Sequence, residues 1–204
     1  MKYIYLMRHG QVDNPKGLVY GNEPGFPLTE KGRSMAHAAA KHFKTQEICP
    51  DKIYSSPNAR ALETADILAK DLELGVEIEN TIVDWKMGKW VGGTTKNFVK
   101  NSGYYDKPIK MDDLEPFDEA ADRMINFFQK ILSDMYEGEA VLVVSHRENS
   151  AAALLKLQDQ NYEYIHDVRL PVGSVWLLKF GDDGKFISAE FKWGGVDEQA
   201  TING

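Results

Sequence analysis

Tyr3-Ile4-Tyr5-Leu6-Met7-Arg8-His9-Gly10 stands near the start of the chain, and two later stretches repeat its form. These are Lys52-Ile53-Tyr54-Ser55-Ser56-Pro57 and Ala140-Val141-Leu142-Val143-Val144-Ser145-His146-Arg147. Each is a short β-branched or aromatic run, the pattern of a buried strand, and each stops at polar residues. Burial explains the runs but not their polar ends. In the second stretch, Arg60 follows in the first turn of the next expected helix. Ligand sites of open α/β sheets lie outside the carboxyl ends of the strands. If the three strands are parallel neighbours, Arg8, His9, Arg60 and His146 converge on one spot.

Further strands are expected at Glu77–Ile82, Ser174–Phe180 and Lys185–Phe191, the last two joined by a turn at Asp182-Asp183-Gly184. Helices are expected from Thr29 to about Phe43, from Asn58 to about Lys70, from Pro116 through Tyr136 and from Asn149 to Leu157. This alternation predicts an α/β fold, a three-layer α/β/α sandwich with a mostly parallel central sheet. The stretch from about 85 to 115 fits no regular element and reads as an inserted cap segment. The length of 204 residues suits one domain, residues 1–204, carrying that insertion.

Hydrophobic residues make up 43% of the chain and charged residues 27%, which excludes disorder and a fibrous repeat. A single cysteine, Cys49, excludes an internal disulfide and fits a reducing compartment. No apolar run has the length of a membrane span, and the apolar stretch ending at Arg8 is too short for a signal peptide. These features predict a cytoplasmic protein with no membrane partner. The net charge of −7 argues against a nucleic-acid partner, because phosphate neutralisation needs surplus cations. Six lysines between Lys86 and Lys110 face one acid, Asp106. They read either as a solvated face offset by the acidic run 112–119 or as attraction for an anionic substrate.

Two guanidiniums, two imidazoles and a helix N-terminus suit a dianionic oxyanion, phosphate foremost. Each piece alone has a plainer explanation. A histidine after a strand is usually structural, and a Ser-Ser-Pro turn usually caps a helix. Metal binding by His9 and His146 is disfavoured by the adjacent Arg8 and Arg147 and by the lack of a third ligand. His37, His42 and His166 read as structural or surface residues. The final residues, Gly194 to Gly204, read as a frayed or partner-bound end.

Taken together, the motifs resemble those of the histidine phosphatase superfamily, in its phosphoglycerate-mutase-like branch. Leu6-Met7-Arg8-His9-Gly10 resembles the opening motif and Pro27-Leu28-Thr29-Glu30-Lys31-Gly32 the helix start that follows. Ser55-Ser56-Pro57-Asn58-Ala59-Arg60-Ala61-Leu62-Glu63-Thr64-Ala65 resembles the second arginine motif. Asp84 to Gly92 resembles the general-acid segment, Glu115 through Arg123 the helix start after the insertion, and Val143-Val144-Ser145-His146 the second histidine motif. The resemblance covers most of the chain, and the order and spacing of the motifs make it specific.

The resemblance implies a metal-independent phosphatase acting on a small phosphorylated substrate, without a cofactor, through a phosphohistidine on His9. Arg8, Arg60 and His146 would hold the phosphoryl oxygens. Asp84 would protonate the leaving alkoxide, in a place where the family usually has Glu. Asn14 lies one residue out of register with a loop asparagine of the family and is carried as an oxygen ligand. Arg147 replaces a usual Gly; it would bind phosphate, contact a second anionic group or narrow the pocket. The alternatives are a phosphoglycerate mutase and, in another class, a non-catalytic phosphate-binding or interaction module. A homodimer is among the states the sequence allows.

Overall fold

The computed structural model describes residues 1–106, 109–110 and 112–194. Lys107 and residues 195–204, and with them the reading of the C-terminal end, lie outside the described residues. A six-stranded sheet is formed by β1 (Lys2–Arg8), β2 (Lys52–Ser55), β3 (Val76–Ile78), β4 (Ala140–Ser145), β5 (Val175–Phe180) and β6 (Phe186–Trp193). Its order is β3-β2-β4-β1-β5-β6. The first four in that order are parallel, and β5 and β6 add an antiparallel edge. β2, β4 and β1 are therefore the parallel neighbours that convergence requires. Their ends are level, with Arg8 opposite Ser145 and Ser55 opposite Val144.

Period-two alternation divides each central strand between two cores. Ile4, Leu6, Val141, Val143, Leu178 and Phe180 face α4 (Phe117–Asp134) and α5 (Arg147–Leu157), where Met124 and Phe128 meet them. Tyr5, Met7, Leu142, Val144 and Leu177 face α1 (Glu30–Phe43) and α2 (Ala59–Leu72), against Phe43 and Leu68. Burying a side chain of this size contributes about 1.5–3 kcal/mol, so both faces of the sheet are anchored. The result is the expected three-layer sandwich. Among the described residues, no helix is long and apolar enough to cross a membrane.

Three local differences from the sequence reading have physical causes. The strand expected over 77–82 ends at Ile78. The Glu79 carboxylate accepts the Thr81 N–H at 2.9 Å and turns the chain into a 3₁₀ turn at Asn80–Ile82. The last helix begins at Arg147, two residues earlier than expected, with His146 at its N-cap. The stretch 85–115 is not wholly irregular: it holds a 3₁₀ turn at Gly88–Trp90 and α3 (Thr95–Asn101), capped by Thr94. Three backbone bonds pair this stretch with an earlier loop. Val19 N–H donates to Gly93 O at 2.8 Å, Gly92 N–H to Val19 O at 2.8 Å, and Thr95 N–H to Gly17 O at 2.7 Å.

Candidate active site

Arg8 is the last residue of β1, and His9 turns out of the sheet behind it. The His9 amide donates to Ser145 O at 3.1 Å and its carbonyl accepts Gly173 N–H at 2.9 Å, so the turn is tied to both neighbouring strands. Gly10 must be glycine for a packing reason. A Cβ there would lie 2.5 Å from Gly32 O, and a Cβ on Gly32 would lie 2.2 Å from Gln11 O. The two glycines let the start of α1 press against the His9 turn. His9 Nδ1 lies 2.8 Å from Gly10 O. A carbonyl only accepts, so the ring proton is on Nδ1 and Nε2 carries the lone pair. Burial, reinforced by the charges of His146, Arg60 and Arg8, holds the His9 pKa well below that of free imidazole. The ring is neutral at pH 7.

Arg60 sits in the first turn of α2 and is fully buried. A buried cation at the positive end of a helix is doubly unfavourable unless an anion joins it. The helix itself offers none, since its first turn contains no acid and its N-cap, Asn58, makes no side-chain cap bond. Arg60 Nη2 instead donates to Gly21 O at 2.7 Å and pairs with Asp84 Oδ2, and its guanidinium lies 4.5 Å over the Tyr20 ring. His146 lies opposite, its ring 5.3 Å from that of His9, with Nδ1 3.4 Å from Asp84 Oδ2. Its Nε2 meets Ser56 Oγ at 2.8 Å. Burial first, then Arg60 and Arg8, keep the His146 pKa well below the ordinary value.

Asp84 is held by its own backbone: Trp85 N–H donates to Oδ1 at 2.8 Å, and the Asp84 amide donates to Asn58 Oδ1 at 3.1 Å. Burial raises its carboxyl above the usual range, against the opposing pull of Arg60. The residue before it, Val83, has its carbonyl held by Arg123 at 3.2 Å and Asn149 at 3.1 Å. Arg123 is fixed in turn by a bidentate pair with Glu115, at 2.9 and 2.8 Å. Among the described residues, eight buried side-chain polar atoms lack a hydrogen bond. Four belong to this cluster: Arg8 Nε, Arg60 Nε and Nη1, and His146 Nδ1. Buried polar groups are normally satisfied, so this concentration marks a place built for a polar ligand. Arg8, His9 and Asp84 line a cleft of about 660 Å³.

The sequence profile of the histidine phosphatase superfamily (branch 1) matches residues 4–191. The chain belongs to that superfamily. A 2,3-bisphosphoglycerate-dependent phosphoglycerate mutase of Parvibaculum lavamentivorans is 27% identical over 202 residues, 92% of this chain and 94% of that protein. Two mycobacterial relatives match over only 81 residues, 36% identical, so the chain spans 39% of their length. Among solved structures, Bacillus stearothermophilus YhfR has a TM-score of 0.81 at 24% identity, over 97% of this chain and 98% of that one. Phosphoserine phosphatase of Entamoeba histolytica, in complex with 3-phosphoglyceric acid, has a TM-score of 0.74 at 23% identity, over 94% and 98%. These likenesses show that the chain has the histidine phosphatase fold.

In the outer part of this histidine phosphatase cleft, Asn14 and Arg147 are engaged by the protein's own groups. Asn14 lines the cleft, but its side-chain amide bridges the backbone of Leu18, donating at 2.9 Å and accepting at 3.0 Å. It braces its own loop. Arg147 also lines the cleft, and its guanidinium donates to Ile165 O at 3.3 Å and to Tyr104 Oη and Glu148 Oε1 at 3.4 Å. Among the described residues, no lysine lines the cleft. Lys86 pairs with Glu115 at 3.4 Å, Lys110 with Asp106 at 2.9 Å and Lys89 with Asp113, the solvated arrangement. Trp85 is buried and stacks on Phe117 at 5.4 Å, so its main work is packing.

His166, read from sequence as structural or surface, lines the cleft and stacks on Tyr105 at 4.5 Å. The sequence pattern alone does not mark Ser56, Glu148 or the Glu115–Arg123 pair as site residues. Ser56 had a sufficient local reading as a turn residue. Glu148 had one as an acid in the first turn of a helix.

Proposed function

We propose that this protein is a metal-independent phosphatase that hydrolyses a small phosphomonoester through a phosphohistidine on His9. One observation carries the reading: a neutral His9 with its Nε2 lone pair free, beside buried Arg8, Arg60 and His146 atoms that lack partners. The phosphoryl group binds among those cations with the phosphorus toward Nε2. Ser56 Oγ donates its proton to Asn58 Oδ1 at 3.0 Å and accepts the His146 Nε2–H, so His146 Nδ1 donates to a phosphoryl oxygen once the ring takes a second proton beside the bound dianion. The Nε2 lone pair attacks phosphorus as the P–O bond to the alcohol breaks, and the Asp84 proton passes to the departing oxygen. The arginines stabilise the charge on the equatorial oxygens. Water then cleaves the phosphohistidine, releasing phosphate and freeing His9. Trp85, Met87, Thr95, Phe98, Tyr104 and Tyr105, all from the inserted segment, line the cleft and act as a cap over this site.

A mutase is the second reading, favoured by the full-length likeness to the Parvibaculum enzyme. It would return the phosphoryl group to an organic acid rather than to water. The deciding experiment is phosphate release from aryl, sugar, nucleotide and glycerate esters with chelator present, for wild type and His9→Ala. Hydrolysis predicts chelator-insensitive release that His9→Ala abolishes, and a labelled phosphohistidine peptide in the wild type. A labelled enzyme that releases no phosphate but converts phosphoglycerates in the presence of bisphosphoglycerate would establish the mutase. No labelling and no turnover would leave a binding module.

A further inference from the structure

The cleft contains an acid that the chemistry above does not use. Glu148 lies in the first turn of α5, two residues after His146, and lines the cleft near its aromatic wall. Its Oε1 accepts the Tyr104 hydroxyl at 3.2 Å and the more distant Arg147 Nη1 at 3.4 Å. Its Oε2 takes no hydrogen bond from any described residue. Arg147 is turned away in part, with Nη2 on Ile165 O at 3.3 Å.

The Glu148 charge is felt across the cleft. Burial lowers the Arg8 pKa and raises those of Tyr104 and Tyr105, and after burial Glu148 is the foremost charge acting on all three, opposing the fall at Arg8 and adding to the rise at the tyrosines. An acceptor-only carboxylate with an open oxygen suits a leaving group that donates hydrogen bonds. The same group repels a leaving group that is itself a carboxylate.

We propose that Glu148 is a specificity-determining residue that selects esters of neutral, polyhydroxylated alcohols, such as polyol and sugar phosphates, over phosphorylated acids. This rests on the phosphatase reading, in that the phosphoryl group is placed at Arg8, His9, Arg60 and His146. Glu148 Oε2 then accepts a hydroxyl of the alcohol, and a glycerate carboxylate in that place meets a like charge. The volume of about 660 Å³ is ample for a sugar ring beside the phosphate.

The test compares glycerol 3-phosphate with 3-phosphoglycerate, which differ by a hydroxymethyl group against a carboxylate. Calorimetric binding to the His9→Ala protein removes turnover from the comparison. The expected result is glycerol 3-phosphate binding about tenfold more tightly, with Glu148→Gln narrowing the gap to about twofold. Glu148→Ala, checked for a native melting transition, serves as a second variant, and it narrows the gap in the same direction.

Equal or tighter binding of 3-phosphoglycerate, or a gap that both variants leave intact, overturns the proposal and assigns the preference to the two arginines that line the outer cleft, Arg147 and Arg169. Failure of both esters to bind overturns it together with the phosphate site. If wild type hydrolyses no ester but the binding gap appears and closes as stated, the hydrolytic reading falls while the role of Glu148 stands.

Discussion

Asp84 illustrates what one residue's surroundings do to its chemistry. A free aspartate is almost fully ionised at pH 6, and an ionised carboxylate has no proton to give. Burial beside His146 raises its pKa, so the proton persists to higher pH. His9 is shifted the opposite way: its pKa is lowered, and it stays unprotonated well below pH 6.5. Activity toward an alkyl ester therefore falls on the alkaline side as Asp84 loses its proton, and on the acid side, below pH 6.5, as His9 gains one. Asp84→Asn removes the alkaline limb. It lowers kcat for an alkyl ester by about a hundredfold to ten-thousandfold. An aryl ester, whose leaving group needs no proton, loses about tenfold or less. Equal losses on the two esters would remove Asp84 from the acid role.

At the level of elements, the placement of Asp84 depends on a contact made well away from the cleft. Arg123 in α4 binds Glu115 bidentately and holds the Val83 carbonyl, so helix and acid loop share one fixture. The Glu115 side chain is 1% exposed, so removing Arg123 takes away its bidentate partner and leaves a buried charge with only Lys86, at 3.4 Å, as a counter-cation. Arg123→Ala is expected to destabilise the fold by about 3–5 kcal/mol in chemical denaturation. Among molecules that remain folded, alkyl-ester turnover falls more than aryl-ester turnover, because Asp84 loses its support. A stability loss with both esters equally affected would limit Arg123 to a structural role.

The legibility of these elements in the sequence follows from local physics. β1, β2 and β4 are readable because apolar runs end in polar residues that packing cannot explain. α3 is not, since seven residues give too few turns for an apolar face to repeat. His146 at a helix N-cap was hidden as well, because the residues after it, Arg147 and Glu148, read equally well as loop. Ser56 and Glu148 show the same limit inside the site: each has a local explanation, and only the fold brings Ser56 to His146 and Glu148 to the cleft.

Across the whole molecule, an acidic body surrounds a cationic pocket. The net charge is −7, yet Arg8, Arg60 and Arg147 gather at one end of the sheet, with three cap lysines, Lys86, Lys89 and Lys110, paired outside it. At physiological salt a Debye length is about 8 Å, so the acidic surface does not cancel the attraction inside. Around the mouth, the backbone ladder between Gly17–Val19 and Gly92–Thr95 joins two connections that are far apart in sequence. Their amides are expected to exchange hydrogen with solvent as one cooperative unit, Val19, Gly92 and Thr95 sharing a common protection factor. Widely different rates at the three would show that the two loops open independently. Because the ladder is made of main chain, side chains such as those of Leu18 and Val19 can vary on it, while Gly17 and Gly92, at φ of +57° and +82°, hold the left-handed backbone that favours glycine. The rim can therefore drift in sequence, and with it the choice of alcohol, while the catalytic floor keeps its enclosure.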